Sequence, residues 1–250
     1  MAKDAGARDG AIVGSQANCG PPPDKDTLAL FTFDGPKGGQ TIVDLTGNWV
    51  GYLRGTGFIW LTGRDGCGYA LGCMGDEKSY VEIPNNATLE QLKEGSIEFW
   101  LRLDKQGLGY EQGILSRDAK GTVKPGHFSV WVVANKVCVQ LLPPGKNKGY
   151  KVYSPQITSD TWYHVGINFG PPTLELYLDG KLVGKTSNTS GIDGNQNPLV
   201  IGAGTWLSEE GAAEPIISTL IGDIDQLHFR SARRAFDKMP RKTGPASPRR

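Results

Sequence analysis

Along this chain apolar and polar residues alternate with a period of two in one short run after another. In SIEFWLRL, Ile97, Phe99, Leu101 and Leu103 alternate with Glu98, Trp100 and Arg102. In SYVEIP, Val81 and Ile83 alternate with Tyr80 and Glu82; in LELYLD, Leu174, Leu176 and Leu178 alternate with Glu175 and Tyr177. Such a period puts successive side chains on opposite faces of a strand, one of them buried. LALFTF, WVGYLRG, FIWL, GILSRD, HFSVWVVA, KVCVQLL, YKVYS, WYHVGINF, KLVGKT, PLVIGAG and IGDIDQLHFR add further strand signals at short spacing. In HFSVWVVA the face of Phe128, Val130 and Val132 and the face of Ser129, Trp131 and Val133 are both largely apolar, which reads as a central strand. Asp179-Gly180 between alternating runs predicts a hairpin with a type I′ turn, which needs positive φ at both central residues. The single helix-like stretch is TLEQLKEG, about two turns long. Long crossovers are absent, so the strands pair antiparallel, and the pattern predicts an all-β fold, an antiparallel β-sandwich.

Composition agrees. Gly 35 and Pro 16 in 250 residues fit many strands and turns, and the length can bury a sizeable core in one large domain or two small ones. The net charge of +1, from 27 basic and 26 acidic residues, provides no field for nucleic acid or an anionic membrane. No run of about 18 apolar residues spans a bilayer, so membrane insertion is not expected. The amino-terminal residues lack the apolar core of a signal peptide. Residues 1–26 are polar and end in Pro21-Pro22-Pro23, and residues 235–250 are basic and proline-rich; both read as flexible tails around a domain at 27–234. No internal repeat is seen.

Four cysteines, Cys19, Cys67, Cys73 and Cys138, are compatible with two disulfides in three connectivities, or with free thiols. Cys67 and Cys73 enclose a short loop and are a candidate local bridge. A zinc site is disfavoured, because no C-x-x-C pair occurs and there are three histidines. Asn86 and Asn188 head glycosylation sequons.

The order of the strand fragments carries a resemblance. TWYHVGINF followed by LELYLDGKLVG resembles the W-x-H-V…L-Y-V-D-G-x-L-V signature of laminin G-like domains, members of the concanavalin A-like lectin and glucanase superfamily. LALFTFDG with TIVDLTGNWVGYLRG, GYALGCMGDEKSYVEIP, SIEFWLRL, GILSRD, LVIGAG and LIGDIDQLHFRSARRAF resemble further motifs of that family, in order, over nearly the whole of 27–234. The resemblance implies a concanavalin A-like jelly roll and a recognition role. It also raises catalysis, since glucanases share the fold. Retaining hydrolysis needs two carboxylates about 5 Å apart, and the E-x-D-x-x-E run of laminarinase-type relatives is missing. Asp223-Ile224-Asp225 and Glu209-Glu210 are the nearest approach. His127, His164 and His228 are scattered, and His164 reads as a core-edge residue. The chain is therefore read as non-catalytic.

Many relatives hold a calcium ion between the loop after the first strand and the last strand. The matching residues here are Asp34, Asp44, Asn48 and Asp225, with Gly47 freeing backbone carbonyls; turn capping by the same aspartates is the competing reading. Sugar binding needs an aromatic platform beside polar groups. Trp100, out of phase with Phe99 and Leu101, and Trp206, Tyr110 and Tyr150 in loops are the candidates, whereas Trp49, Trp60, Trp131 and Trp162 read as core. The expected function is a carbohydrate-binding or adhesion module, extracellular or at the cell surface, for a polysaccharide, glycan or cell-surface protein, with calcium as a structural ion. The alternatives are an assembly subunit of an extracellular or virion-like array, homo- or hetero-assembled through its tails, and a divergent glycan-active hydrolase or lyase.

Overall fold

In the computed structural model, residues 19–35, 38–76, 78–117, 127–142, 149–188, 190–205 and 216–237 are described. In chain order the strands are β1 (Thr27–Phe31), β2 (Thr41–Val43), β3 (Val50–Arg54), β4 (Phe58–Thr62), β5 (Tyr69–Met74), β6 (Tyr80–Ile83), β7 (Gly95–Leu103), β8 (Gln112–Arg117) and β9 (His127–Val133). They continue with β10 (Lys136–Leu142), β11 (Tyr150–Gln156), β12 (Trp162–Phe169), β13 (Thr173–Leu178), β14 (Lys181–Ser187), β15 (Leu199–Ile201), β16 (Gly204–Thr205), β17 (Ile216–Ile217) and β18 (Ile221–Arg230). A short α-helix, α1 (Ala87–Gln91), is capped by the Asn86 carboxamide, which accepts from Leu89 N–H at 3.0 Å. No helix among the described residues is long and apolar enough to cross a membrane.

Among the described residues the strands form two large antiparallel sheets and a separate β16–β17 pair. The first runs β14-β13-β12-β7-β18-β5-β4, with β1 also on β18; the second runs β11-β10-β9-β8-β15-β6-β3-β2. Strand alternation sends Ile97, Phe99, Leu101, Val165, Ile167, Leu174, Leu176, Ile224 and Phe229 of the first sheet into one core with Val81, Ile83, Phe128, Val130, Val132, Val137 and Val139 of the second. This is the concanavalin A-like sandwich that the alternation and the resemblance predict. Asp179 (φ 49°) and Gly180 (φ 79°) supply the two positive dihedrals of the expected turn, and Asp179 Oδ1 accepts from His164 N–H at 2.9 Å.

The outer face of the first sheet is covered, which the alternation does not reveal. Every residue of β7 is buried. Glu98 lies at the centre of a network on this face: His164 Nε2 donates to its Oε2 at 3.1 Å, Arg230 Nη1 bonds its Oε1, and Arg234 Nη1 lies 3.4 Å away. Arg102 pairs with Asp223 at 2.6 Å. Two segments read as tails from sequence seal this layer. Cys19 forms a disulfide with Cys67, and Asp24 accepts from Arg230 Nε at 2.8 Å. Beyond β18, Arg233 donates to Thr173 O at 2.7 Å, and Phe236, fully buried, packs 6.0 Å from His164 and 5.0 Å from Tyr177, ring centre to ring centre. Cys19, Asp24 and Phe236 thus take part in the packing of the domain.

The local Cys67–Cys73 bridge is overturned. Cys73 is in β5 with its side chain in the inter-sheet core, while Cys67 is exposed in the loop before it, so strand alternation separates the two thiols. Cys67 pairs instead with Cys19, and Cys73 and Cys138 are buried. Of the two sequons, Asn188 is buried and donates to Ser190 O at 2.7 Å, while Asn86 is half-buried at its cap.

Arg117, at the end of β8, is the largest fully buried side chain. Its guanidinium donates to Leu89 O (2.8 Å), Ile192 O (2.5 Å), Asn197 O (3.2 Å), Asn85 Oδ1 (2.7 Å) and Asn195 O. Burial lowers its pKa to about 10, so it stays charged at neutral pH. It holds the α1 segment against the 190–197 connection.

Candidate functional site

Among the described residues the outer face of the second sheet is left open over β9, β10 and β11, and side-chain parity decides what it displays. With Phe128, Val130 and Val132 in the core, β9 turns Ser129 and Trp131 outward; β10 likewise presents Cys138 and Gln140, and β11 presents Lys151 and Tyr153. Register aligns them in two files. Lys151 pairs with Gln140, Gln140 with Ser129, and Ser129 with Ser116; Tyr153 pairs with Cys138, Cys138 with Trp131, and Trp131 with Gly113. A register shift between Gly113 and Leu115 keeps Ser116 on this face. Gly113 is required by close approach, because a Cβ there would lie 1.9 Å from Gly204 N. The backbone of Ala203–Gly204 therefore crosses directly over β8 and sets the β16–β17 pair as one wall.

The result is a groove of about 170 Å³ whose lining includes Glu111, Ser116, His127, Ser129, Trp131, Gln140, Lys151, Thr205 and Ser218. Ser116 Oγ and Thr205 Oγ1 are 2.7 Å apart, and Thr205 N–H donates to Ser116 Oγ at 3.2 Å. Ser129 Oγ is 3.3 Å from His127 Nε2. The Lys151 ammonium lies 5.5 Å from the centre of the Trp131 ring, a cation–π arrangement. Cys138 is fully buried in this face, and burial pushes its thiol up to about 11, so it stays protonated and unreactive at neutral pH. The groove thus combines one aromatic face with hydroxyl, amide, imidazole, ammonium and carboxylate groups.

The residues read from sequence as sugar platforms fall differently. Trp100 does lie out of phase with Phe99 and Leu101, but on the sealed face of the first sheet. It is 3% exposed, with the Arg64 guanidinium 4.0 Å above its ring and His164 edge-on at 5.1 Å, so it is no platform. Tyr150 packs against the core, and its neighbour Lys151 takes the groove face instead. Tyr110 is exposed beside groove-lining Glu111. Trp206 lies outside the described residues, next in sequence to groove-lining Thr205. The residue missed is Trp131, read as core although Ser129 shares its parity. Polar residues on the same outward face of β8, β10 and β11, namely Ser116, Gln140 and Lys151, are the signal that marks it.

The acidic residues divide as well. Asp44 is buried with both oxygens engaged: Oδ2 accepts from Trp49 N–H at 2.6 Å, and Oδ1 from Thr46 N–H at 2.8 Å and Leu30 N–H at 3.4 Å. It caps its own turn, and Asn48 is exposed on that turn. Asp34 and Asp225 share another corner. Asp34 Oδ1 accepts from Tyr69 N–H at 2.7 Å, and Asp225 Oδ2 accepts from Arg64 N–H at 2.9 Å. Two carboxylates suit calcium in kind but provide only part of the six to eight oxygens it takes, and among the described residues no cluster of three His, Cys, Asp or Glu could hold a metal. Burial first, with the nearby Asp34 charge, raises the Asp225 carboxyl to about 8 against the pull of the Arg64 N–H bond. The folded chain then holds a proton that the unfolded chain loses near pH 3.8, so this residue lowers stability as pH rises from there to about 8. With EDTA present, Asp225→Asn is expected to gain roughly 1–3 kcal/mol at pH 8 and almost nothing at pH 4. Urea denaturation at the two pH values checks this; equal effects at both would refute it.

The fold is shared with solved structures of low identity. The binding domain of Paraclostridial Mosquitocidal Protein 1 superposes with a TM-score of 0.62 at 17% identity, covering 85% of this chain and 50% of that one. The receptor-binding domain of botulinum neurotoxin type G gives 0.60 at 14% identity, covering 85% and 50%. The binding domain of botulinum neurotoxin DC, solved in complex with SialylT, gives 0.60 at 16% identity, covering 85% and 49%. The chain spans about half the length of each of these structures. No curated protein sequence matches the chain. Residues 75–231, more than half of it, match the laminin G-type profile described as the concanavalin A-like lectin/glucanases superfamily, and the chain belongs to that superfamily.

Proposed function

We propose that this protein is a non-catalytic carbohydrate-recognition module that binds a saccharide in the groove on the outer face of the second sheet. The carrying observation is Trp131, half-buried on an open sheet face beside the file Lys151, Gln140, Ser129 and Ser116. A pyranose has an apolar C–H face and a rim of hydroxyls, and it is held by an aromatic ring and short polar side chains placed side by side. The groove lining includes one carboxylate, Glu111, where glycoside hydrolysis ordinarily uses a pair. The superposed binding domains support a recognition role by likeness of fold; one was solved with SialylT and another with rat synaptotagmin II. The Cys19–Cys67 disulfide fits an oxidising, extracellular setting. In this reading calcium is a structural ion held by Asp34 and Asp225, outside the groove.

A glycan array read with and without EDTA, with Trp131→Ala alongside, tests the proposal. The parent is expected to bind at least one saccharide class, and the variant to lose about tenfold or more in affinity with its melting temperature nearly unchanged. Undiminished binding by the variant would remove the groove as the site, and no binding to any glycan would favour a protein partner or an assembly role. EDTA is expected to lower the melting temperature while sparing glycan binding. An unchanged melting temperature would count against the ion.

A further inference from the structure

We infer that the groove selects acidic saccharides and that Lys151 reads the anionic group; the inference rests on the groove being the saccharide site. Lys151 is exposed on β11, and its ammonium stands over the ring face of Trp131 that a sugar would occupy, 5.5 Å from the ring centre. An ammonium attracted there by the ring quadrupole must move before a pyranose can stack. A neutral sugar offers the displaced ammonium only hydroxyls, little different from the water it already has, so the displacement opposes binding. A carboxylate or sulfate offers it charge-assisted hydrogen bonds, shorter and stronger than neutral ones, so the same displacement favours binding. One side chain thus disfavours the neutral ligand and favours the acidic one, and selectivity is the difference between the two.

The placement of the other charged group supports this and gives the site a direction. Lys151 is at one end of the file, with Gln140, Ser129 and Ser116 on the three strands that follow. At about 4.8 Å per strand the file is roughly 14 Å long, the span of a short oligosaccharide. Glu111 directly precedes β8, two residues before the Gly113 that faces Trp131 and on the side of Trp131 away from Ser116, and β9 and β10 separate it from β11, so the negative charge of the lining lies off the file that Lys151 heads. Glu111 accepts hydroxyl donors on the far side of Trp131 and repels a second anionic group there. The ligand that fits carries its acidic group at the Lys151 end and neutral hydroxyls over Gln140, Ser129 and the Ser116–Thr205 pair.

Matched ligands test the inference. Trigalacturonate and triglucuronate are each titrated by calorimetry against their methyl esters and carboxyl-reduced forms, and a sulfated trigalactoside separates carboxylate from sulfate as the anionic source. At least one acidic ligand is expected to bind about tenfold or more tighter than its neutral counterpart, with the preference shrinking between about 20 mM and about 300 mM salt. Lys151→Met is expected to reduce the preference to within about twofold, weakening the acidic ligand and tightening the neutral one. Glu111→Gln is expected to keep or raise it. Equal affinities for acidic and neutral forms, or a preference that survives Lys151→Met, would overturn the inference while leaving the groove as a sugar site. Failure of every saccharide to bind would overturn both.

Discussion

Exchanging Arg117 for methionine is expected to lower the unfolding free energy by roughly 3–5 kcal/mol, near the upper end for a single substitution. Methionine approximates the volume of the aliphatic stem but returns no donor to Leu89 O, Ile192 O, Asn195 O, Asn197 O or Asn85 Oδ1. Several of these acceptors are sealed in the interior by the arginine itself, and a buried acceptor without a partner loses its share of hydration outright. Lysine at this position keeps the charge but is a single point donor on a flexible stem, and it cannot span the acceptors that a planar fork reaches. Arg117→Lys is therefore expected to recover only a minor part of the loss. Urea denaturation of both variants gives the comparison, with an unchanged m-value required for the two-state reading. A loss below about 1 kcal/mol for the methionine variant would mean that water reaches these carbonyls and that the guanidinium does not organise the connection.

The second large effect is expected at Glu98. Burial, the largest influence, would raise its pKa, but the His164 bond and the Arg230, His164 and Arg234 charges outweigh it and hold the carboxyl at about 2. Replacing it with isosteric glutamine leaves the buried Arg230 without that partner, at a cost on the order of 3–5 kcal/mol at neutral pH. The pH dependence distinguishes this from a packing defect. A depressed carboxyl stabilises the fold fully above its unfolded value of 4.5, and that stabilisation disappears as pH falls through about 2. His228 adds to the same trend from higher pH. Burial, then the Arg230 charge, lowers its pKa from 6.5 to about 4, so acidification charges the unfolded histidine first and removes stability across that window. Asp225, whose raised carboxyl favours the fold as pH falls from about 8 toward 3.8, opposes the His228 trend, so the parent is expected to lose melting temperature most steeply below pH 4, where the Glu98 contribution fades. Glu98→Gln should start lower and fall less below pH 4.5. A variant curve parallel to the parent throughout would separate the acid lability from Glu98.

What was legible in the sequence followed the range of the signal. Period-two alternation reports which side chains share a face, so Ile97, Phe99, Leu101, Val81 and Ile83 were placed in the core by sequence alone. The Asp179-Gly180 turn was equally legible, because its backbone geometry is set by two adjacent residues. Alternation does not say whether an outward face is open or covered. Trp100 and Trp131 have the same relation to their strands, yet one is beneath Arg64 and the other lines the groove. That difference comes from segments distant in sequence: the Cys67 loop and the two ends of the domain over the first sheet, and the β16–β17 pair beside the second. The disulfide failed for the same reason. Cys19 and Cys67 are 48 residues apart, and only the packing of the amino-terminal segment on the first sheet brings them together.

The lopsided covering of the two sheets determines how the module can be presented. Cys19, Asp24 and Phe236 all sit on the capped side, held through Cys67, Arg230, His164 and Tyr177. A ligand approaching the second sheet therefore meets neither segment, and a partner that contacts the segments around Cys19 and Phe236 does so without occluding the groove.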